Sequence, residues 1–247
     1  MKMMRRFLLA ALAAVAALPA DAAPVRYGLT LAGLPLGVLT LDGDRSDDHY
    51  EAAVRFESAG LAGLLDYGLE GTAEGLAGRG RDLLPLRFAG ASHSPRAVRQ
   101  TRIEWIDGAP AFVAVDPPRG EAVAPATAAG ALDPASALLR LAGPRPAAEA
   151  CSESVAVFDG SRLVRLTLGA PAPVADGIAC DGTYLRLGGE PLTPIDPPEC
   201  PFRLVYRIAA DGRAVLQQIR VPTRFGEALI ERRVSLTEMN SRLTSTH

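Results

Sequence analysis

A chain of 247 residues with 26 basic and 28 acidic side chains, a net charge of −2, lacks the basic footprint of a nucleic-acid binder and has the length of one large β domain or two small ones. Its one lysine, Lys2, stands at the extreme N-terminus. No lysine is left for a Schiff base or a phosphate-binding loop, which removes aldolase-type, pyridoxal-phosphate and Walker-type mechanisms.

Lys2, Arg5 and Arg6 precede an unbroken apolar run, Phe7 to Leu18, and Ala20 and Ala22 then supply small residues at cleavage positions. This is the layout of a cleavable secretory signal peptide over residues 1–22. The run is about a dozen residues, short of the ~20 that span a bilayer, and no cysteine follows the cleavage site to carry a lipid anchor. Residues 23–247 are therefore expected to form a periplasmic protein that is not integral to the membrane, with a net charge of about −4 after cleavage.

From here the dominant signal is period-two alternation, the mark of strands with one buried face. Tyr27, Leu29 and Leu31 alternate with Arg26, Gly28 and Thr30; Tyr50, Ala52, Val54 and Phe56 alternate with Glu51, Arg55 and Glu57. The pattern returns in Thr101, Ile103 and Trp105, and again in Phe202, Leu204, Tyr206 and Ile208. Strands are predicted near 25–32, 36–42, 49–58, 67–76, 84–93, 97–107, 110–115, 153–158, 161–168, 179–187, 202–209, 213–221 and 225–236. Gly33 to Gly37 bends the first pair, and Asp107-Gly108, Asp159-Gly160 and Asp211-Gly212 read as tight turns. Between strands, Gly60 to Leu65 is an apolar turn or short helix. The stretch from Asp116 to Gly130, rich in Pro, Ala and Gly, reads as a long surface loop. Asp133 suits an N-cap and Pro134 the first helical position, so a helix is predicted over 133–141, stopped by Gly143-Pro144.

More than ten strands exceed what a flat open sheet carries, so the sheet must curl or split. The expected fold is mostly β: a strongly curved antiparallel sheet or half-barrel whose concave side is covered by the short helices. Residues 23–247 are read as a single β-rich domain, with sub-sheets at about 25–115 and 150–237. Export places Cys151, Cys180 and Cys200 in an oxidising compartment. Cys151–Cys180 is the favoured disulfide, because the strand pair between them can bring the two together; Cys200, in a Pro-rich loop, is the odd thiol.

The chemical candidates are sparse. Ser92 and His93 are neighbours on a strand and point to opposite faces, so they form no nucleophile–base pair. No G-x-S-x-G elbow is present. The acidic turn Asp42 to His49 lacks the spacing of an EF-hand calcium loop. Glu51, Glu57, Glu70 and Glu74 alternate with apolar residues, which assigns them to the wet face rather than to a glycosidase cleft. No catalytic residue, metal or cofactor is expected.

Several segments resemble a bacterial periplasmic family known as domain-of-unknown-function family 3108. They are Gly33-Leu34-Pro35-Leu36-Gly37, Gly60-Leu61-Ala62-Gly63-Leu64-Leu65-Asp66-Tyr67, Leu132-Asp133-Pro134-Ala135-Ser136-Ala137-Leu138-Leu139, Val157-Phe158-Asp159-Gly160, Cys180-Asp181-Gly182-Thr183-Tyr184 and Pro222-Thr223-Arg224-Phe225-Gly226. The segment Gly188-Gly189-Glu190 departs from the pattern in lacking an aromatic residue after the glycines. The resemblance implies an architecture similar to LolA- and LolB-type lipoprotein carriers, in which a half-barrel with a helical lid holds acyl chains. It implies a non-enzymatic protein whose partner is a lipid or lipoprotein, and it carries over no catalytic residues. The candidate ligand contacts are then the apolar residues of the dry faces and the two covers: Tyr27, Phe56, Leu64, Leu65, Tyr67, Phe88, Trp105, Leu138 and Leu139. A cell-envelope adaptor that binds another protein through a sheet edge or the 116–130 loop is the competing expectation, with an envelope hydrolase a distant third.

Overall fold

The computed structural model describes residues 23–60, 67–95, 97–191 and 197–233. The expected signal peptide, Leu64 and Leu65 of the 60–65 turn, and the end of the last predicted strand lie outside the described residues.

Seven strands come first: β1 (Val25–Leu31), β2 (Leu34–Arg45), β3 (His49–Ser58), β4 (Gly68–Ala77), β5 (Leu83–Ser94), β6 (Ala97–Ile106) and β7 (Ala109–Asp116). A short 3-10 turn (Pro125–Ala128), helix α1 (Pro134–Ala142) and the two-residue β8 (Arg145–Pro146) follow. Then come β9 (Ser154–Phe158), β10 (Leu163–Val174), β11 (Gly177–Gly188), β12 (Glu199–Ile208), β13 (Arg213–Thr223) and β14 (Gly226–Arg233). The strands form one antiparallel sheet whose path runs β7-β6-β5-β4-β3-β2-β1-β14-β13-β12-β11-β10-β9, with β8 off that path and paired to β13. Each half is a simple meander, and pairing of β1 with β14 joins the halves.

The sheet is mostly β structure, curled and not closed. Its curl is evident in the core. Phe158 and Leu163, from the last strands in the order, pack in one cluster with Ile103, Trp105 and Phe88 from near the first. Residues 123–132 bridge the gap between the two outer strands. Val123 N–H donates to Ser161 O, Gly130 N–H to Gly108 O, and Leu132 exchanges backbone hydrogen bonds with Ala156 and Phe158 on β9. The expected surface loop at 116–130 is exposed over most of its length, but its second half also bridges the two sheet edges. Ala128, and Ala131 just beyond it, are sealed in the core, where small side chains fit between two sheet edges. At the turn between β6 and β7, Asp107 and Gly108 both take positive φ, 51° and 75°, as a two-residue hairpin requires.

Helix α1 sits inside the curl. Asp133 caps it, accepting from the backbone N–H of Ala135 and Ser136 at 2.9 Å each. The wall beneath is made of small residues, so that a helix can approach: Gly43, Ala52, Ala73 and Gly75 occupy inner-face positions of β2, β3 and β4. A Cβ at Gly43 would lie 2.6 Å from a Leu139 methyl.

The other end of α1 is held by charge. Arg145 Nη2 donates to the carbonyls of Leu141 at 2.5 Å and Arg140 at 2.6 Å; Arg81 reaches the Arg140 carbonyl at 2.6 Å, and Tyr206 Oη the Leu141 carbonyl at 3.0 Å. These are the helix's last carbonyls, which lack partners inside the helix and carry partial negative charge. Arg145 also lies over the Tyr206 ring, 5.0 Å from its centroid. Glu153 joins the group, bonded to Arg81 at 2.8 Å and Arg140 at 2.9 Å, with Arg145 at 3.8 Å. The Cys151–Cys180 disulfide forms beside it and ties the approach to edge strand β9 to β11.

Candidate functional site

The inner face of the sheet is largely apolar, but only one end is filled. Next to α1 the inner-face residues are sealed: Tyr50 and Ala52 on β3, Ala73 on β4, Phe88 on β5, Tyr206 and Leu216 on β12 and β13. Toward the other end of the sheet, on the same face, the side chains are only half-buried. These are Leu29 on β1, Leu39 on β2, Phe56 on β3, Leu166 on β10, Tyr184 on β11, Phe202 on β12, Ile219 on β13 and Ile230 on β14. Leu69 on β4, directly opposite Phe56, is exposed. Together they form an apolar mouth at the end of the curl remote from α1.

Glycines shape this mouth. The Phe56 ring lies over Gly37, where a Cβ would come within 2.7 Å of it, and the Phe202 ring lies over Gly182 in the same way. Deeper in, Phe88 covers Gly71 and Gly90, and Tyr50 covers Gly75. Rings laid against bare backbone occupy the wall instead of standing across the lumen. Leu138 of α1 packs against the clusters on both sides of the lumen and is half-buried, so it forms part of the floor.

The sequence candidates divide by depth. Tyr27, Phe88 and Trp105 are sealed core residues, exposed by 3, 7 and 3 %. Phe56 is in the mouth, Leu138 and Leu139 lie on the helix beneath it, and Tyr67 stands exposed just before β4. The mouth residues Leu39, Leu69, Leu166, Ile219 and Ile230 escape a reading by composition. They follow from the same alternation once register sets neighbours side by side.

A trough of about 810 Å3 crosses the opposite, solvent face of β2 to β6. Ala53, Thr72 and Ala89 pave it, and Asp42, Asp44, Glu51, Glu74, Arg87 and Arg102 rise around it. Glu51, Glu57, Glu70 and Glu74 belong to this face, where Arg55 and Arg87 pair with three of them. Ser92 is half-buried on the inner face, while His93 lies exposed on the outer face over Gly68. Among the described residues no group of His, Cys, Asp and Glu could hold a metal ion, and no helix is long and apolar enough to cross a membrane.

One buried titratable group sits in the machinery that holds α1. Asp133 accepts a 2.5 Å hydrogen bond from Ser136 Oγ, which is itself 2.7 Å from Tyr50 Oη. Burial pushes the Asp133 carboxyl up to about 6, against the pull of its hydrogen bonds from Ser136 and Ala135. The folded state therefore holds this proton more tightly than the unfolded chain does. The group's contribution to stability is full below about pH 4 and is lost as pH rises through about 6. Asp133→Asn keeps a capping acceptor and removes the titration. Urea unfolding across pH is expected to show wild type gaining up to about 3 kcal/mol on the variant as pH falls from 7 to 4.

No curated protein matches the chain, and no solved structure does. Over residues 25–170, more than half its length and including the β1–β7 meander, the bridging segment, α1 and the start of the second half, the chain matches the family described as Protein of unknown function (DUF3108), and it belongs to that family.

Proposed function

We propose that this protein is an exported, periplasmic and non-enzymatic carrier that takes the apolar part of an amphiphile, such as a lipid or the acyl chain of a lipoprotein, into the open end of its curved sheet. In this reading its architecture is LolA/LolB-like, with the sheet as cup and α1 as floor. The supporting observation is the unequal filling of one apolar face. Beside α1 that face is sealed; at the mouth Leu39, Phe56, Leu69, Ile219 and Ile230 remain accessible. Each methylene moved from water onto such a surface contributes about 0.8 kcal/mol, so an acyl chain needs no specific polar contact to bind.

The test is direct. Protein isolated without denaturant is expected to carry lipid adducts in native mass spectrometry, and after delipidation to bind a pyrene-labelled fatty acid. Phe56→Ala removes a ring from the mouth and is expected to weaken that binding roughly ten- to a hundredfold. A clean apo mass together with no probe binding by wild type would overturn the proposal. The adaptor reading has its own support in Leu76, Leu84, Leu86 and Ile106, large apolar residues exposed on the outer surface of β4 to β6. It gains if probes fail to bind and substitution of Leu84 abolishes capture of an envelope protein.

A further inference from the structure

The mouth is not apolar all the way across. One cross-strand row on the inner face runs Leu39, Phe56, Leu69, Ser92, Arg99 over β2 to β6, each directly opposite the next. Polarity climbs along it from alkyl and aromatic, through a hydroxyl, to a guanidinium. Four strand spacings separate Leu39 from Arg99, about 19 Å. Arg99 is half-buried, and its Nε donates to the Pro117 carbonyl at 2.8 Å, which fixes the side chain at the rim and leaves both terminal nitrogens for another acceptor.

A second cation stands close by. Arg119, on the segment just past Pro117, is half-buried within electrostatic reach of Arg99, Arg162, Asp159 and Glu190. The acids there are already engaged. Asp159 is bonded by the Arg162 side chain and by the backbone N–H groups of Ser161 and Arg162. Glu190 accepts the Glu121 N–H at 3.3 Å. Asp116, opposite Gln100, follows the alternation to the outer face. Burial first, and then the neighbouring Arg162 guanidinium, hold Arg119 below the ordinary arginine range.

We infer that the ligand is an amphiphile with a small anionic head, a carboxylate or a phosphate, whose tail lies over Leu39, Phe56 and Leu69 and whose head is held by Arg99 and Arg119. The inference rests on the carrier reading and adds the polarity and orientation of the cargo. Guanidinium groups suit this task, since their forked donors match the oxygens of both head types.

The experiment compares three probes on the mature chain at about pH 8, where a carboxylate is ionised: pyrene-dodecanoic acid, the corresponding alkyl phosphate, and pyrene-dodecanol. Wild type is expected to bind at least one of the two anions at least about tenfold more tightly than the alcohol. Which of them it prefers separates a free fatty acid from a phosphate-headed lipid. The double variant R99Q/R119Q is expected to lose the preference while its affinity for the alcohol stays the same, which also reports that the mouth remains folded. R99K, which keeps the charge, is expected to retain most of the preference. Equal binding of all three probes by wild type, or a preference that survives R99Q/R119Q, overturns the inference and leaves the carrier reading intact. Failure of every probe to bind wild type overturns both.

Discussion

Glu153→Gln is expected to lower the free energy of unfolding by about 3–5 kcal/mol, the loss that follows when one partner of a buried ion group is neutralised. The Glu153 side chain is 3 % exposed and is the carboxylate that both Arg81 and Arg140 bond, with Arg145, 0 % exposed, at 3.8 Å. Of Arg145's donors, Nε is buried with no hydrogen-bond partner, so the group has no slack to absorb a lost charge. A glutamine has nearly the same shape and offers one acceptor, but it leaves three guanidinium groups close together with backbone carbonyls and the exposed Asp82, 3.6 Å from Arg140, to answer them. Because those guanidiniums also hold the end of α1, the helix is expected to loosen with the ion group. Denaturant titration at fixed pH checks this through a fall in midpoint at unchanged slope. Glu57→Gln is the surface comparison: Glu57 pairs with Arg55 at 2.9 Å, but both side chains are 61 % exposed. Its loss is expected to stay within about 1 kcal/mol. Equal effects at the two sites would mean that the buried group contributes no more than an exposed pair.

This group is also where the sequence is least legible, and the reason is physical. Its members, Arg81, Arg140, Arg145 and Glu153, come from a hairpin turn, a helix end, a two-residue strand and the approach to an edge strand. Each looks like an ordinary surface charge until the sheet curls. Alternation, by contrast, is local. Tyr50, Ala52, Val54 and Phe56 against Glu51, Arg55 and Glu57 predict β3 to the residue, and Asp133-Pro134 places the start of α1. Where alternation fails, so does the reading. β10 runs on to Val174 instead of stopping near 168, and β11 starts at Gly177. The added residues include Pro171 and Pro173, paired with β11 on one side and lying beyond the end of β9 on the other. Prolines suit such an edge, where the missing N–H costs no ladder bond and discourages pairing with another chain. The candidate site shows a subtler limit. Alternation assigns a residue to a face and says nothing of depth along the strand. Tyr27, Phe88 and Trp105 share the inner face with Phe56, yet they lie in the sealed part and Phe56 in the open part. What separates them is α1, whose position depends on Gly43, Ala52, Ala73 and Gly75 leaving room for it, and register is needed to see those four as one patch of wall.

Replacing both Cys151 and Cys180 by serine is expected to cost about 3–4 kcal/mol, the chain-entropy value for closing a loop with a sequence separation of 29. The bond does more here than shorten the unfolded chain. β9 has five residues and lies at the edge of the sheet, with β10 on one side and Leu132 of the bridging segment on the other. Cys151 fixes its approach to β11, two strands inward, and Glu153 sits two residues on. Freed of the disulfide, β9 and the segment 123–132 that seals against it are expected to open before the rest of the sheet. Hydrogen exchange should therefore show protection lost first at Leu132, Phe158 and Leu168, whose N–H groups bond to Ala156, Leu132 and Glu153. The Cys151/Cys180 variant combined with Glu153→Gln is expected to lose less than the two separate losses added together, because both changes release the same edge. In wild type and in Cys200→Ser alike, a reductant is expected to reproduce the loss of the double serine variant, since Cys200 lies outside the bond. Uniform loss of protection over both meanders, with strictly additive energies, would instead mean that the disulfide stabilises the sheet as a whole and that its last strand is no weaker than its first.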